Sequence, residues 1–180
     1  MAKPDIKPVL RNDRGVHYAP RMNRLFFVLL SVLYAPSLLA QPTVFIVRHA
    51  EKATGGDARD PDLSEAGHAR AQALAVVLKD SGIKAIYATE FKRTQQTAEP
   101  LARAAGLEIT IVPGKEIDAL AARLKNSHGT ALIVAHSNTI PDILKALGAA
   151  APPPIDETDY DNLVLLLPGP PVQLLRLHYR

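Results

Sequence analysis

Two arginines and two histidines, far apart in the chain, each stand just after a short apolar run. Arg48 and His49 follow Thr43–Val47, Arg93 closes the segment Thr89–Arg93 after Lys84–Ala88, and His136-Ser137-Asn138 follows Thr130–Ala135. Such a set suits phosphoryl chemistry. A phosphate dianion needs several donors and compensating positive charge, and a guanidinium fork binds two of its oxygens at once. Forks from Arg48 and Arg93 could hold three oxygens and neutralise the charge that grows in the transition state. A neutral histidine in line with phosphorus is a competent nucleophile, and its product is a phosphohistidine that water can attack. A second histidine, if protonated, donates to a phosphate oxygen. A carboxylic acid is wanted near the leaving oxygen, first as acid and later as base for water. The arginines and His136 supply the positive charge, so the scheme asks for no metal and no cofactor.

These residues can meet only if the chain brings three loops together. From Thr43 onward, strand-like and helix-like segments alternate. Thr43–Val47 is β-branched and apolar, as a buried strand should be. A polar loop, Asp57–Ser64, leads to a helix over about 64–79, with Ala66, Ala69, Ala73, Leu74, Val77 and Leu78 near one face and Gly82 just beyond its end. Lys84–Ala88 is a second strand. A helix over about 93–105 ends at Gly106, with Pro100 marking a kink or a fresh start. Glu108–Val112, a short helix over about 117–125, the strand Thr130–Ala135 and a helix over about 138–147 follow. Leu163–Leu167 and Val172–His178 flank a PGPP turn as a hairpin. This order predicts an α/β fold: a three-layer sandwich with a mainly parallel central sheet and a C-terminal antiparallel hairpin. In open sheets of that kind ligands sit beyond the carboxyl ends of the strands, which is where the three polar segments fall.

Taken singly, each residue has a plainer reading. An Arg-His pair after a strand is more often loop surface, Arg93 a solvated charge at a helix start, and His136 a satisfied strand-end histidine. His68, His128 and His178 have no partners in the pattern and read as structural or exposed. The joint placement after successive strands is what favours a site.

Composition narrows the function. The chain has 180 residues, 47% apolar and 22% charged, and no cysteine. A thiolate metal site, a cysteine nucleophile and a disulfide framework are therefore excluded. The net charge of +3 is concentrated early: residues 1–40 hold six Lys and Arg and two acids, which leaves 15 basic and 16 acidic residues in the body. A nearly neutral body argues against a nucleic-acid partner held by phosphate contacts. Met22-Asn23-Arg24 precedes Leu25–Ala40, sixteen residues without charge that break near Pro36. This reads as a signal peptide over 22–40. An uncleaved anchor and a buried helix are the other readings, although the run is short for a span of ~20 residues. Residues 1–21 are expected to form an extension without stable fold, and residues 41–180 the functional domain. The mature chain is expected in the periplasm or outside the cell, with no stable membrane insertion after cleavage.

The motifs then match a family in order. Val47-Arg48-His49-Ala50-Glu51-Lys52 resembles the RHG/RHA signature of the histidine phosphatase superfamily, also called phosphoglycerate mutase-like. Asp62–Gly67 is similar to its LTxxG segment, Tyr87–Glu99 to its SPLxRxxQTAE segment, and Val134–Asn138 to its VxHG/VxHS segment. The resemblance implies that His49 is the phosphorylated nucleophile and that Arg48, Arg93 and His136 bind the phosphoryl group. It implies a proton donor in an LxE segment after the third strand, where Lys115-Glu116-Ile117-Asp118 stands. Glu116 is the candidate and Asp118 its understudy. The residues that usually follow that Glu are absent, and small family members, phosphohistidine-protein phosphatases among them, manage without an acid there. Glu116 also reads as a carboxylate facing a helix dipole. Lys52 and Ser137 are further substrate-binding candidates, and Asn138 is either an N-cap or a ligand contact.

Only 43 positions separate Arg93 from His136, which leaves little material for a lid. This disfavours a mutase, which must retain its intermediate, and suits a shallow site open to bulky substrates. The expected activity is hydrolysis of a phosphomonoester or phosphoramidate in the bacterial envelope, on a phosphorylated small molecule or a phosphoprotein. A non-catalytic phosphate-binding module and a phosphoglycerate mutase-type phosphotransferase are the alternatives.

Overall fold

The computed structural model describes residues 42–180; the extension, the signal segment and its cleavage site fall outside the described residues. The described chain forms strands β1 (Thr43–Arg48), β2 (Ile83–Ala88), β3 (Ile109–Ile111), β4 (Thr130–Ala135), β5 (Asn162–Leu167) and β6 (Gln173–His178). Between them lie helices α1 (Glu65–Leu78), α2 (Lys92–Ala105), α3 (Ile117–Lys125) and α4 (Ile140–Ala146). The strands make one sheet in the order β3-β2-β4-β1-β5-β6. The first four are parallel, and β5 and β6 are antiparallel additions.

Three layers follow from the two apolar faces of the sheet. Leu74, Leu78, Ala98 and Leu101 of α1 and α2 pack on Val47, Ile86, Leu132 and Val134. Leu120, Leu124, Ile140 and Leu144 of α3 and α4 pack on Val44, Ile46, Ile133 and Leu166. Strands covered on both sides must be apolar at nearly every position, and β4 is buried from Ala131 to Ala135.

Helix α1 differs from its predicted face. Its buried residues are Gly67, Ala71, Leu74, Ala75 and Leu78, whereas Ala66, Ala69 and Val77 are exposed. Alanines surround this helix, so apolar composition leaves its rotation open. Two contacts set it: Gly67 packs on the backbone of Glu51, and Arg70 reaches the Glu51 carboxylate. Helix α2 runs through Pro100 without a break, and Gly106 ends it at φ 65°, a conformation suited to glycine.

Candidate active site

Strand β4 lies between β1 and β2, so the loops leaving the carboxyl ends of these three strands are neighbours. Parallel register carries the alignment to the last residue, with Arg48 opposite Ala135 and Ala88 opposite Val134. The His49 N–H then donates to Ala135 O at 2.9 Å. Arg48, His49, Lys52, Arg93, His136, Ser137 and Asn138 thereby line one open cavity of about 560 Å³.

The loop carrying His49 is held from two helices. Ala50 N–H donates to Thr97 Oγ1 at 2.9 Å, and Thr97 Oγ1 donates to Arg93 O at 2.7 Å. Next to it, Gln96 binds Leu63 N–H at 2.9 Å and the Asp62 carboxylate at 2.8 Å. The Gln96-Thr97 pair therefore ties two loops to α2. Ser64 caps α1, its hydroxyl accepting from Gly67 N–H at 3.1 Å.

His49 is buried, and its Nδ1 lies 2.8 Å from Ala50 O. A carbonyl can only accept, so Nδ1 carries the proton and Nε2 keeps its lone pair. Burial, with smaller contributions from Arg48, His136 and Arg93, pushes the His49 pKa from 6.5 down to about 3. The imidazole is neutral at ordinary pH, as a nucleophile requires.

His136 lies edge-on to His49, with ring centroids 5.3 Å apart. Its Nε2 is 3.0 Å from Thr89 Oγ1, which in turn is 2.9 Å from Thr94 Oγ1. Burial first, then Arg93, pushes its pKa from 6.5 down to about 4, with Glu90 acting in the opposite direction. The sequence scheme counted on a protonated His136; in the folded protein it is neutral. Desolvation and the neighbouring guanidinium both disfavour a second cation there.

The antiparallel strand β5 adds a wall that sequence reasoning missed. Leu163 pairs with Val47, so the loop entering β5 reaches the edge where β1 ends. Its carbonyls at Asp156 and Glu157 accept from Arg48 Nη1, and Tyr160 lies 4.2 Å beneath the Arg48 guanidinium. Among the described residues, nothing takes a hydrogen bond from Arg48 Nη2. Arg93 is stacked on Phe91 at 4.2 Å and is 3.7 Å from Asp60 Oδ1. Two guanidiniums are thus fixed at the mouth that holds both histidines, Arg48 by stacking and backbone carbonyls and Arg93 by stacking and an ion pair.

The sequence pattern bears on this geometry directly. The histidine phosphatase superfamily (branch 1) model matches residues 44–120. Over those residues the chain is similar to the histidine phosphatase superfamily. The protein histidine phosphatase SixA complexed with tungstate is similar in fold: the TM-score is 0.63 at 18% identity, over 76% of this chain and 96% of that one. SixA from Agrobacterium tumefaciens gives 0.59 at 22%, over 76% and 98%. A mycobacterial glucosyl-3-phosphoglycerate phosphatase in complex with VO3 gives 0.59 at 16%, over 75% and 97%. No curated protein matches the sequence.

The structure places the carboxylates differently from the sequence expectation. Glu116 is exposed at the start of α3, without a side-chain cap bond. It lines a small apolar hollow of about 20 Å³ beside Tyr87, Val112 and Ile143, which adjoins the arginine-lined cavity at Gly114 and Thr139. Asp118 is exposed in the first turn of α3 and lines neither. Glu90 and Glu157 line the cavity instead. Glu90 was legible as a carboxylate just after β2. Glu157 and Tyr160 had no sequence signal, because only the direction of β5 brings their loop to this edge. Asn138 is not the N-cap of α4, a place taken by Thr139. His178 lies 2.8 Å from Asp161, at the far hairpin strand.

Proposed function

We propose that this chain is a metal-independent phosphatase that hydrolyses a phosphomonoester or phosphoramidate through a phosphohistidine on His49. The observation that carries this is the tie of His49 Nδ1 to Ala50 O, which leaves Nε2 as the only ring nitrogen able to attack. In this reading Arg48 and Arg93 clamp the phosphoryl oxygens, and His136 contacts a third position. Ser137 and Lys52 bind the substrate from the rim. Attack by Nε2 forms an N–P bond and breaks the bond to the leaving group. Water then breaks the N–P bond and returns the electron pair to Nε2. Tungstate and VO3, present in two structurally similar phosphatases, are oxyanions of the size this clamp would hold.

The cavity is open and lined by polar groups, which favours a bulky phosphorylated substrate such as a phosphoprotein over an enclosed metabolite. We further propose that the enzyme works in the periplasm or outside the cell, exported by the segment 22–40. No helix among the described residues is long and apolar enough to cross a membrane. Fractionation and the N-terminal mass of the mature protein test this; cytoplasmic retention of the full-length chain would exclude it.

The catalytic test uses the full-length chain with 4-nitrophenyl phosphate and phosphoramidate in the presence of EDTA. Phosphate release and a phosphoryl mass shift on the peptide containing His49 are expected, both lost in His49→Ala. Turnover that survives in the variant, or that EDTA abolishes and metal restores, would mean a different chemistry.

A further inference from the structure

We propose that Glu90 is the acid and base of this site, a role that rests on the phosphohistidine reading above. Glu90 stands two residues beyond the end of β2 and lines the cavity shared by Arg48, His49, Arg93 and His136. Its Oε2 accepts from Gly114 N–H at 2.8 Å. Its backbone carbonyl is held by Gln95 Nε2 at 3.0 Å. A methyl group placed on Gly114 would lie 3.8 Å from Glu90 Oε2 and 3.9 Å from His136 Cδ2. The carboxylate and the His136 ring therefore flank the same point at the rim of the cavity. Among the described residues, no hydrogen bond occupies Glu90 Oε1, so one oxygen is anchored and the other is available.

The remaining carboxylates are paired elsewhere or are not oriented toward the site. Glu51 is bound by Arg70 through both oxygens at 2.6–2.9 Å. Asp60 faces Arg93 at 3.7 Å and does not line the cavity. Glu116 lines the small hollow that adjoins the cavity at Gly114 and Thr139, and no described hydrogen bond orients its carboxylate. Glu157 lines the cavity, but its fixed part is the backbone carbonyl that holds Arg48, and no described hydrogen bond orients its carboxylate. Glu90 also stands where the family segment SPLxRxxQTAE carries proline.

The chemistry balances in two steps. As His49 Nε2 bonds to phosphorus, the bond from phosphorus to the leaving oxygen breaks with its electron pair, and that oxygen takes the proton of the Glu90 carboxyl. A phosphoryl dianion beside a carboxylate sets two negative charges together, which favours a proton there. In the second step the Glu90 carboxylate takes a proton from water as the water oxygen bonds to phosphorus, and the N–P electron pair returns to His49. Glu90 ends protonated, ready for the next turnover.

The test is the leaving-group dependence of kcat/KM, which counts only steps up to alcohol release. In Glu90→Gln the amide oxygen can still accept from Gly114, so the loop keeps its tether. The kcat/KM for glycerol 2-phosphate, a poor leaving group, should fall by ~100-fold or more. That for 4-nitrophenyl phosphate should change by only a few-fold, because its leaving oxygen needs no proton. Equal losses on both esters, or no loss on either, would overturn the role and leave Glu90 a tether for Gly114. The selective signature in Glu116→Gln or Glu157→Gln instead would overturn it as well. Turnover that persists in His49→Ala would overturn the phosphohistidine reading itself, a result distinguishable from all of these.

Discussion

Gly67 sits so close to the backbone of Glu51 that a Cβ on it would lie 2.2 Å from the Glu51 carbonyl oxygen. The obstructing atom is backbone, two residues beyond His49, and cannot swing aside. Helix α1 must therefore shift as a body or push the His49 loop. Gly67→Ala is expected to destabilise the protein by about 1–3 kcal/mol, the usual cost of overpacking, despite alanine's higher helix propensity. Thermal unfolding of both proteins checks this. A variant as stable as wild type would contradict the close packing.

Thr97 links the His49 loop to α2 through the bond from Ala50 N–H at 2.9 Å. Ala50 is fully buried, so water cannot replace the acceptor. Thr97→Val keeps the shape and removes the oxygen. A buried donor without a partner costs about 1–3 kcal/mol, and a loosened His49 should also lower kcat. Thr97→Ser retains the hydroxyl and should restore most of both losses, measured by denaturant unfolding and by turnover of 4-nitrophenyl phosphate.

Arg48 is held on two sides, by carbonyls of the loop entering β5 and by the ring of Tyr160. Lysine carries the charge but has neither the fork nor the planar face. Arg48→Lys is expected to lose nearly as much kcat/KM as Arg48→Ala, on the order of 100-fold. A lysine variant close to wild type would show that charge alone suffices.

The two site histidines give a pH dependence with a defined sign. Their folded pKa values, about 3 for His49 and about 4 for His136, lie below the ordinary 6.5. Between these limits the unfolded chain binds more protons than the folded one, so stability rises with pH. Their stabilising effect is complete above about pH 6.5 and is lost as pH falls through about 4 and then about 3. Melting temperatures measured from pH 7 to 4 should fall more steeply for wild type than for His136→Gln. By NMR, the His49 ring should show no titration between pH 5 and 8. Bound phosphate should raise the His136 pKa, since an anion favours the charged ring.

Much of the fold was legible because its physical signals are local. Buried parallel strands must be largely apolar and β-branched, and Thr43–Val47 and Thr130–Ala135 are. Gly106 marked the end of α2, and the polar loop Asp57–Ser64 marked the approach to α1. The phase of α1 was not legible, since alanines surround it and the selecting contact comes from Glu51. Pro100 suggested a break that packing overrode: Ala98, Leu101 and Ala102 around it are buried against the sheet.

The sequence by itself determined the chemistry on offer: two arginines and two histidines after successive strands, in a parallel sheet whose carboxyl edge must collect them. Spacing along the chain is enough for that, because each strand ends where its own residues stop being apolar. Only the tertiary structure decided the rest. It placed β4 between β1 and β2, ran β5 antiparallel so that Tyr160 and Glu157 close on Arg48, neutralised His136 by burial, and set Glu90 rather than Glu116 in the cavity. Those outcomes depend on strand order, direction and desolvation. Each is a property of segments distant in sequence, so no single stretch of the chain encodes it.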